Sequence, residues 1–146
     1  LEDVTLGNKI RDAVRLANEG ISLESALSVI GNDITVYQTI PLAFFLIYRI
    51  RDARTLLNTA AHVGGNTDTI ALICGAYIGA VYGKTALPGD LLEGLECRGE
   101  IESTAARLYE RYTTKPYIGV RLRLQSPIFT HVFAHLVLIH LGPTAA

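Results

Sequence analysis

The chain is 146 residues long, which is enough for one ordinary domain and too short for two. Hydrophobic residues make up 49% of the chain and charged residues 18%, so intrinsic disorder is excluded. The formal net charge of −1 gives no basis for predicting a nucleic-acid partner. The two cysteines are too few for a disulfide framework and predict a reducing, cytoplasmic compartment.

The first two predicted helices are short and end at glycines. Apolar residues recur at helical spacing from Ile10 to Ala17, and Gly20 follows as a stop signal. Ser22 is a favourable N-cap for a second helix, which Gly31 ends.

Two further helices are predicted around a proline and an aspartate. Pro41 suits the first turn of a helix that runs to Arg51. Asp52 can cap the next helix, residues 53–62, which Gly64 and Gly65 close. We therefore expect four helices before residue 66.

A helix over residues 69–83 is apolar on every side, which predicts burial at the centre of the fold. Gly75, Gly79 and Gly83 form a smooth stripe along it, where another backbone could approach closely. Pro88 begins a short amphipathic segment, and residues 101–112 form the last predicted helix.

The pattern changes after residue 112. Residues 1–110 carry all fourteen acidic side chains, whereas residues 111–146 carry four basic side chains and no acid. Residues 120–124 alternate like a strand, and residues 128–141 fit a strand or a helix. We therefore predict an all-α domain over residues 1–112 and a basic apolar tail of unknown origin over residues 113–146.

Three charge-free runs, at residues 34–48, 69–83 and 124–146, raise the question of membrane insertion. The first two are shorter than the ~20 residues needed to span a bilayer, and prolines and histidines interrupt the third. We predict no membrane contact. Separately, the chain has no methionine and begins at Leu1, so we expect it to be a piece of a longer protein.

The most informative segment is residues 62–71, His-Val-Gly-Gly-Asn-Thr-Asp-Thr-Ile-Ala. In the simpler interpretation, Asn66, Thr67 or Asp68 caps the following helix after a Gly-Gly turn. In the functional interpretation, a carboxylate, a hydroxyl and an amide supply the oxygen ligands that Mg²⁺ or Mn²⁺ prefers. Gly64 and Gly65 would then let a backbone, a ribose or a phosphate group approach. Spacing alone leaves both interpretations open.

This segment, followed by Gly-Ala pairs at 75–76 and 79–80, resembles the C-terminal signature of the ADP-ribosylglycohydrolase family. The family includes the enzyme that reactivates dinitrogenase reductase, and the crystallin J1 proteins are relatives. Residues 30–34 (Ile-Gly-Asn-Asp-Ile) and 39–41 (Thr-Ile-Pro) resemble its Gly-Asn loop and Ser-Val-Pro helix start. Residues 87–98 resemble its closing segment. The resemblance covers about residues 1–112.

The resemblance implies an orthogonal all-α multi-helix bundle, with this chain as its C-terminal part, and a dinuclear Mg²⁺ or Mn²⁺ centre. Such enzymes cleave ADP-ribose from a protein side chain or a small acceptor. The family's metal ligands fall on Asn66, Asp68 and Thr69. Family contacts to ADP-ribose fall on Gly31, Asn32 and Ile34, and Gly64 and Gly65 are added as residues that let the ligand approach. No catalytic residue can be assigned.

Two departures from the family pattern bear on activity. Asn66 stands where the family usually has aspartate, and the chain has no Thr-Asp-Asp cluster to supply further ligands and a general base. We therefore expect weak metal binding and no turnover by this chain alone. Its partner would be the missing N-terminal half or a second copy of the chain. The alternative is a non-catalytic crystallin J1-like structural or ligand-binding protein.

Other candidate residues have simpler interpretations. His131 and His135 have the i, i+4 spacing of zinc ligands, with His140 as a third nitrogen, but no acid lies near them. We predict that Cys74 is a core residue and that Cys97 is not a nucleophile. Three arginines near a helix junction are predicted to be a solvated face: Arg49, Arg51 and Arg54.

Overall fold

The structure, a computed structural model, describes residues 4–114. Those residues form α-helices joined by short loops and contain no β-strand, which confirms the predicted all-α class. The seven helices of this part of the chain are α1 Val4–Asn18, α2 Leu23–Ile30, α3 Val36–Arg49, α4 Ala53–His62, α5 Thr67–Tyr82, α6 Gly89–Glu93 and α7 Arg98–Thr114. A 3₁₀ turn, Lys84–Ala86, follows α5.

The predicted helix caps of α2 and α4 are confirmed. The hydroxyl of Ser22 accepts the Ser25 N–H at 3.2 Å, and the carboxylate of Asp52 accepts the Thr55 N–H at 2.8 Å. Gly31 ends α2, and its N–H donates to the Leu27 carbonyl. Each bond satisfies a backbone group that a helix end would otherwise leave without a partner.

The predicted start of α3 at Pro41 is wrong, because this helix begins at Val36 and encloses the proline. Thr35 and Gln38 have the Thr-x-x-Gln spacing of a helix N-terminus. The Gln38 side chain reaches back to accept the Asp33 N–H at 2.8 Å, whereas the N-cap Thr35 makes no side-chain cap bond. The buried proline then removes one donor from the helix interior.

The core lies within residues 4–89, which belong to one compact unit. Helix α1 packs against α3, and α5 packs against both α3 and α4, while α2 contacts α1 and α3. Fully or almost fully buried side chains at these contacts include Ala13, Ala26, Leu42, Phe45, Leu46, Leu56, Ile70, Cys74 and Ile78. They come from five helices, which together enclose one core.

Helix α5 is not buried on every side by the residues that the structure describes, contrary to prediction. Only Ile70, Cys74 and Ile78, at every fourth position, are buried, whereas Leu72 is 70% exposed. A helix needs neighbours all around it to bury all its faces, and within residues 4–114 the main neighbours of α5 are α3, α4 and the 3₁₀ turn. An added Cβ at Gly79 would meet nothing within 4 Å, so in the described residues no backbone approaches the glycine stripe there.

The second compact unit begins at Asp90 and is described as far as residue 114. It contains α6 and α7, and an ion pair joins Arg98 to Glu102 along α7 at 2.8 Å. No helix in residues 4–114 has the length and apolarity to cross a bilayer. The predicted strand and the three tail histidines, His131, His135 and His140, lie outside the described residues.

The two cysteines differ sharply in environment, as predicted for Cys74. Its side chain is fully buried in α5, and burial raises the pKa of the thiol from 9.0 to about 12, whereas Cys97 is exposed. A raised pKa in the folded state stabilises the protein below pH 9. That contribution is lost as the pH rises towards 12.

We expect Ellman's reagent at pH 8 to modify Cys97 within minutes and Cys74 at least about 100-fold more slowly, because burial withholds the Cys74 thiolate. The measurement is absorbance at 412 nm over time, in buffer and in denaturant. The Cys97→Ser variant should lose the fast phase. A fast phase that persists in that variant would contradict the assignment.

Candidate functional site

Two loops that the sequence singled out meet in the structure. The carbonyl of Asn32, after α2, accepts the N–H of Asn66, before α5, at 3.1 Å. The side-chain amide of Asn32 donates to the carbonyl of Val63 at 3.1 Å. We name residues 31–34 the Gly-Asn loop and residues 63–69 the Gly-Gly loop. Asn32 therefore joins the two loops through both its backbone and its side chain.

The glycines of the Gly-Gly loop make this junction possible. Gly65 has φ +65°, and a Cβ there would fall on the Asn32 carbonyl, 2.7 Å from its carbon. Gly64 has φ +82°, and its Cβ would lie 2.9 Å from the Asn32 amide nitrogen. Gly65 thus admits the backbone of the neighbouring loop, and Gly64 admits the Asn32 side chain. Their contact with a ligand stays a prediction.

Asn66 is the centre of a hydrogen-bond chain between the loops and α3. Its amide nitrogen donates to the hydroxyl of Thr39 at 3.0 Å, and its amide oxygen accepts the hydroxyl of Thr69 at 3.0 Å. The Thr39 hydroxyl in turn donates to the Asp33 carbonyl at 3.0 Å. Asn66 does occupy the N-cap position of α5, but its side chain makes no cap bond. The simpler interpretation therefore does not account for this side chain.

Asp68 is exposed in the first turn of α5. One of its carboxylate oxygens accepts the Thr69 N–H at 2.8 Å. A negative charge at this end of a helix is favoured by the helix dipole. The other carboxylate oxygen is able to bind a cation or a further hydrogen-bond donor, because an ionised carboxylate has several acceptor positions.

The oxygens of Asn66 and Thr69 are of the type that a hard cation prefers. They lie 3.0 Å apart because the Thr69 hydroxyl donates to the Asn66 amide oxygen. With Asp68 they supply three kinds of oxygen ligand and one formal negative charge. Among the described residues no group of three or more His, Cys, Asp or Glu side chains is placed to hold a metal ion. The side-chain types match the oxygen ligands that Mg²⁺ or Mn²⁺ prefers, and cation binding by these residues stays a prediction.

The Gly-Asn loop holds its own shape through local hydrogen bonds. The Asp33 carboxylate accepts the Ile34 N–H at 2.7 Å, and the backbone N–H of Asp33 donates to the side-chain oxygen of Gln38. Ile34 is 77% exposed, so its side chain is available to a ligand or partner. Gly31 has φ +80° and packs beside Gln38.

Thr39 is the site residue whose role the sequence did not assign. It lies on the buried face of α3, in phase with Ala43 and Leu46, yet it carries a hydroxyl. A polar residue in an apolar helical phase is the signal that could have identified it, because a buried hydroxyl requires hydrogen-bond partners. The predicted solvated arginines are all exposed: Arg49, Arg51 and Arg54.

Comparisons with known proteins agree on one family. A model of the ADP-ribosylglycohydrolase family matches residues 2–117. An uncharacterized protein from Archaeoglobus fulgidus is 37% identical over 105 residues, covering 70% of this chain and 34% of that protein. ADP-ribosylhydrolase ARH3 from Danio rerio is 34% identical over 106 residues, covering 63% of this chain and 28% of that protein. The human ARH3 is 28% identical over 106 residues, with 64% and 29% covered.

The chain spans about a third of the length of these relatives. No solved structure matches it significantly.

Proposed function

The chain belongs to the ADP-ribosylglycohydrolase family, and from this membership we propose that it forms the C-terminal portion of a hydrolase that removes ADP-ribose from a protein side chain or a small acceptor. The observation that carries the proposal is the junction of the Gly-Asn loop with the Gly-Gly loop through Asn32. It brings the two family motifs, about thirty residues apart in sequence, into one site. The names of the ARH3 relatives support the substrate class.

In this proposal Asn66, Asp68 and Thr69 hold Mg²⁺ or Mn²⁺ with their oxygens. A divalent cation bound there supplies charge neutralisation at the sugar carbon that is attacked and orients water and ribose hydroxyls. The remaining ligands and the general base come from the rest of the family domain or from a second copy of the chain. The chain alone then binds metal weakly and does not turn over.

The protein residues of the site supply rigidity and donors in this proposal. Gly31, Asn32 and Ile34 line the ADP-ribose side, and Gly64 and Gly65 bring the neighbouring loop close to it. The Asn32 side chain is already committed to the Val63 carbonyl, and its backbone carbonyl to the Asn66 N–H. Asn32 therefore orders the loop before a ligand arrives. A site ordered before binding loses less entropy when the ligand arrives.

A second candidate function is a non-catalytic crystallin J1-like structural or ligand-binding protein. The observation in its favour is the engagement of the Asn66 amide with Thr39 and Thr69. An amide brings no negative charge, so the site has one formal charge where the family pattern has two. Cation affinity depends on the number of charged ligands.

We expect Asp68→Asn to weaken Mn²⁺ binding roughly tenfold, because it removes the charged ligand of the proposed shell. The measurement is the electron paramagnetic resonance signal of free Mn²⁺ during titration of the protein. Asp52→Asn is the matched control, since Asp52 is also an exposed N-terminal aspartate of a helix but lies outside both loops. Equal affinities of the two variants would contradict the assignment of Asp68.

The same Mn²⁺ titration with Asn66→Asp, together with isothermal titration calorimetry of both proteins with ADP-ribose, separates the two candidate functions. A gain in Mn²⁺ affinity and a Mn²⁺-dependent heat of ADP-ribose binding favour the hydrolase. If the wild type and Asn66→Asp both stay silent with the rest of a family domain supplied, the catalytic proposal fails and the structural alternative stands.

A further inference from the structure

Thr39 is the one buried polar residue among residues 5–111, whose side chains the structure describes, with 2% of its surface exposed. Its hydroxyl lies between the Gly-Asn loop and the Gly-Gly loop, which are not adjacent in the sequence. On one side it donates to the Asp33 carbonyl in the Gly-Asn loop, and on the other it accepts from the Asn66 amide in the Gly-Gly loop, each at 3.0 Å. A single side chain on α3 therefore touches both loops of the site.

The single proton of the Thr39 hydroxyl determines which end of the Asn66 side-chain amide faces Thr39. A threonine hydroxyl has one proton to donate, and here the Asp33 carbonyl receives it. Towards Asn66 the hydroxyl can therefore only accept, so the NH₂ end of the Asn66 amide faces Thr39. The amide oxygen then faces Thr69, whose hydroxyl donates to it.

We propose that Thr39 is a positioning residue that aligns the Gly-Asn loop with the Gly-Gly loop and turns the Asn66 oxygen towards Thr69. The inference rests on the proposed function only in one respect, that the aligned oxygens bind a cation. The alignment itself is supported by the three hydrogen bonds that Thr39 and Asn66 make. Thr39 acts through Asn66 and need not touch the cation or the sugar.

The proposal also explains why an amide is tolerated at position 66. A carboxylate there would place an oxygen opposite the Thr39 hydroxyl, which would have to withdraw its proton from the Asp33 carbonyl to donate to it. With Asn66 both the carbonyl and the hydroxyl keep partners, and buried groups without partners are costly. Thr39 and Asn66 are thus a matched pair.

The first test is hydrogen exchange of the Asn66 backbone N–H and side-chain NH₂, followed by NMR. Thr39→Val keeps the shape of the side chain but removes both bonds, and we expect exchange at Asn66 to accelerate at least about tenfold. Thr39→Ser keeps the hydroxyl and should stay within about threefold of the wild type. Thr59→Val, on a half-buried threonine of α4 outside both loops, controls for the substitution itself.

If Thr39→Val does not fold, Thr39→Ala removes the same hydroxyl without adding a methyl group and takes its place. The proposal is overturned if exchange at Asn66 is unchanged in the variant that lacks the hydroxyl. It is also overturned if Thr39→Ser accelerates exchange as much as Thr39→Val does.

The second test is Mn²⁺ affinity in a double-mutant cycle. Residues that orient metal ligands change affinity by about 10- to 100-fold when mutated, so we expect Thr39→Val to lower it about tenfold and Thr39→Ser to restore it. Combined with Asn66→Ala, Thr39→Val should cause no further loss, because it acts through Asn66. Full additivity overturns the proposal.

A wild-type protein that binds no Mn²⁺ refutes the proposed metal site instead. The exchange comparison then decides the role of Thr39 by itself, so the two failures are distinguishable.

Discussion

Replacing Gly65 by alanine is expected to lower the free energy of unfolding by about 3–5 kcal/mol, a large share of the stability of a small protein. Two effects add. The left-handed backbone at φ +65° costs a residue with a Cβ about 1–2 kcal/mol. The Cβ would also fall on the Asn32 carbonyl, so the loops must separate and the Asn66 N–H loses its acceptor. The measurement is urea denaturation followed by circular dichroism.

Two other glycines separate these effects. Gly20 has φ +76° with nothing within 4 Å of its added Cβ, so Gly20→Ala should cost only the backbone term of about 1–2 kcal/mol. Gly79 lies inside α5 in open space, and Gly79→Ala should stabilise by up to ~1 kcal/mol through helix propensity. If Gly65→Ala costs no more than Gly20→Ala, the two loops do not pack as closely as the structure has them.

Phe45→Ala is expected to destabilise the fold by about 3–5 kcal/mol, the range for removing a buried aromatic ring. Phe45 is fully buried on α3, the helix that contacts α1, α2, α4 and α5, so no neighbour can collapse into the space without leaving another contact. The chemical denaturation midpoint and slope give the loss.

Phe44 is the matched control for this substitution. It is the preceding residue on the same helix and is only half-buried, so Phe44→Ala should cost about half as much or less, because less apolar area leaves water in the native state. Should Phe45→Ala not fold at all, Phe45→Leu measures the same site with a smaller cavity. Equal losses at the two positions would contradict the orientation of α3.

The sequence predicted those helix ends that depend only on residues within the same helical turn. The caps of α2 and α4 follow from Ser22 and Asp52, because a side-chain oxygen bonds an N–H three residues on whatever the rest of the fold does. The predicted start of α3 at Pro41 is wrong, because a proline is favoured in the first turn but does not by itself prevent a helix from beginning earlier, here at Val36.

The sequence by itself determined the all-α class, the caps of α2 and α4 and the family, because helical spacing, caps and the Gly-Gly-Asn-Thr-Asp-Thr motif are all short-range patterns. Only the tertiary structure decided that Asn32 joins the two loops and that Thr39 turns the Asn66 amide. It also decided that Leu72 on the apolar helix α5 stays exposed within residues 4–114. These features depend on which segments pack together across about 30 residues of chain. No local pattern encodes the partner of a hydrogen bond at that distance.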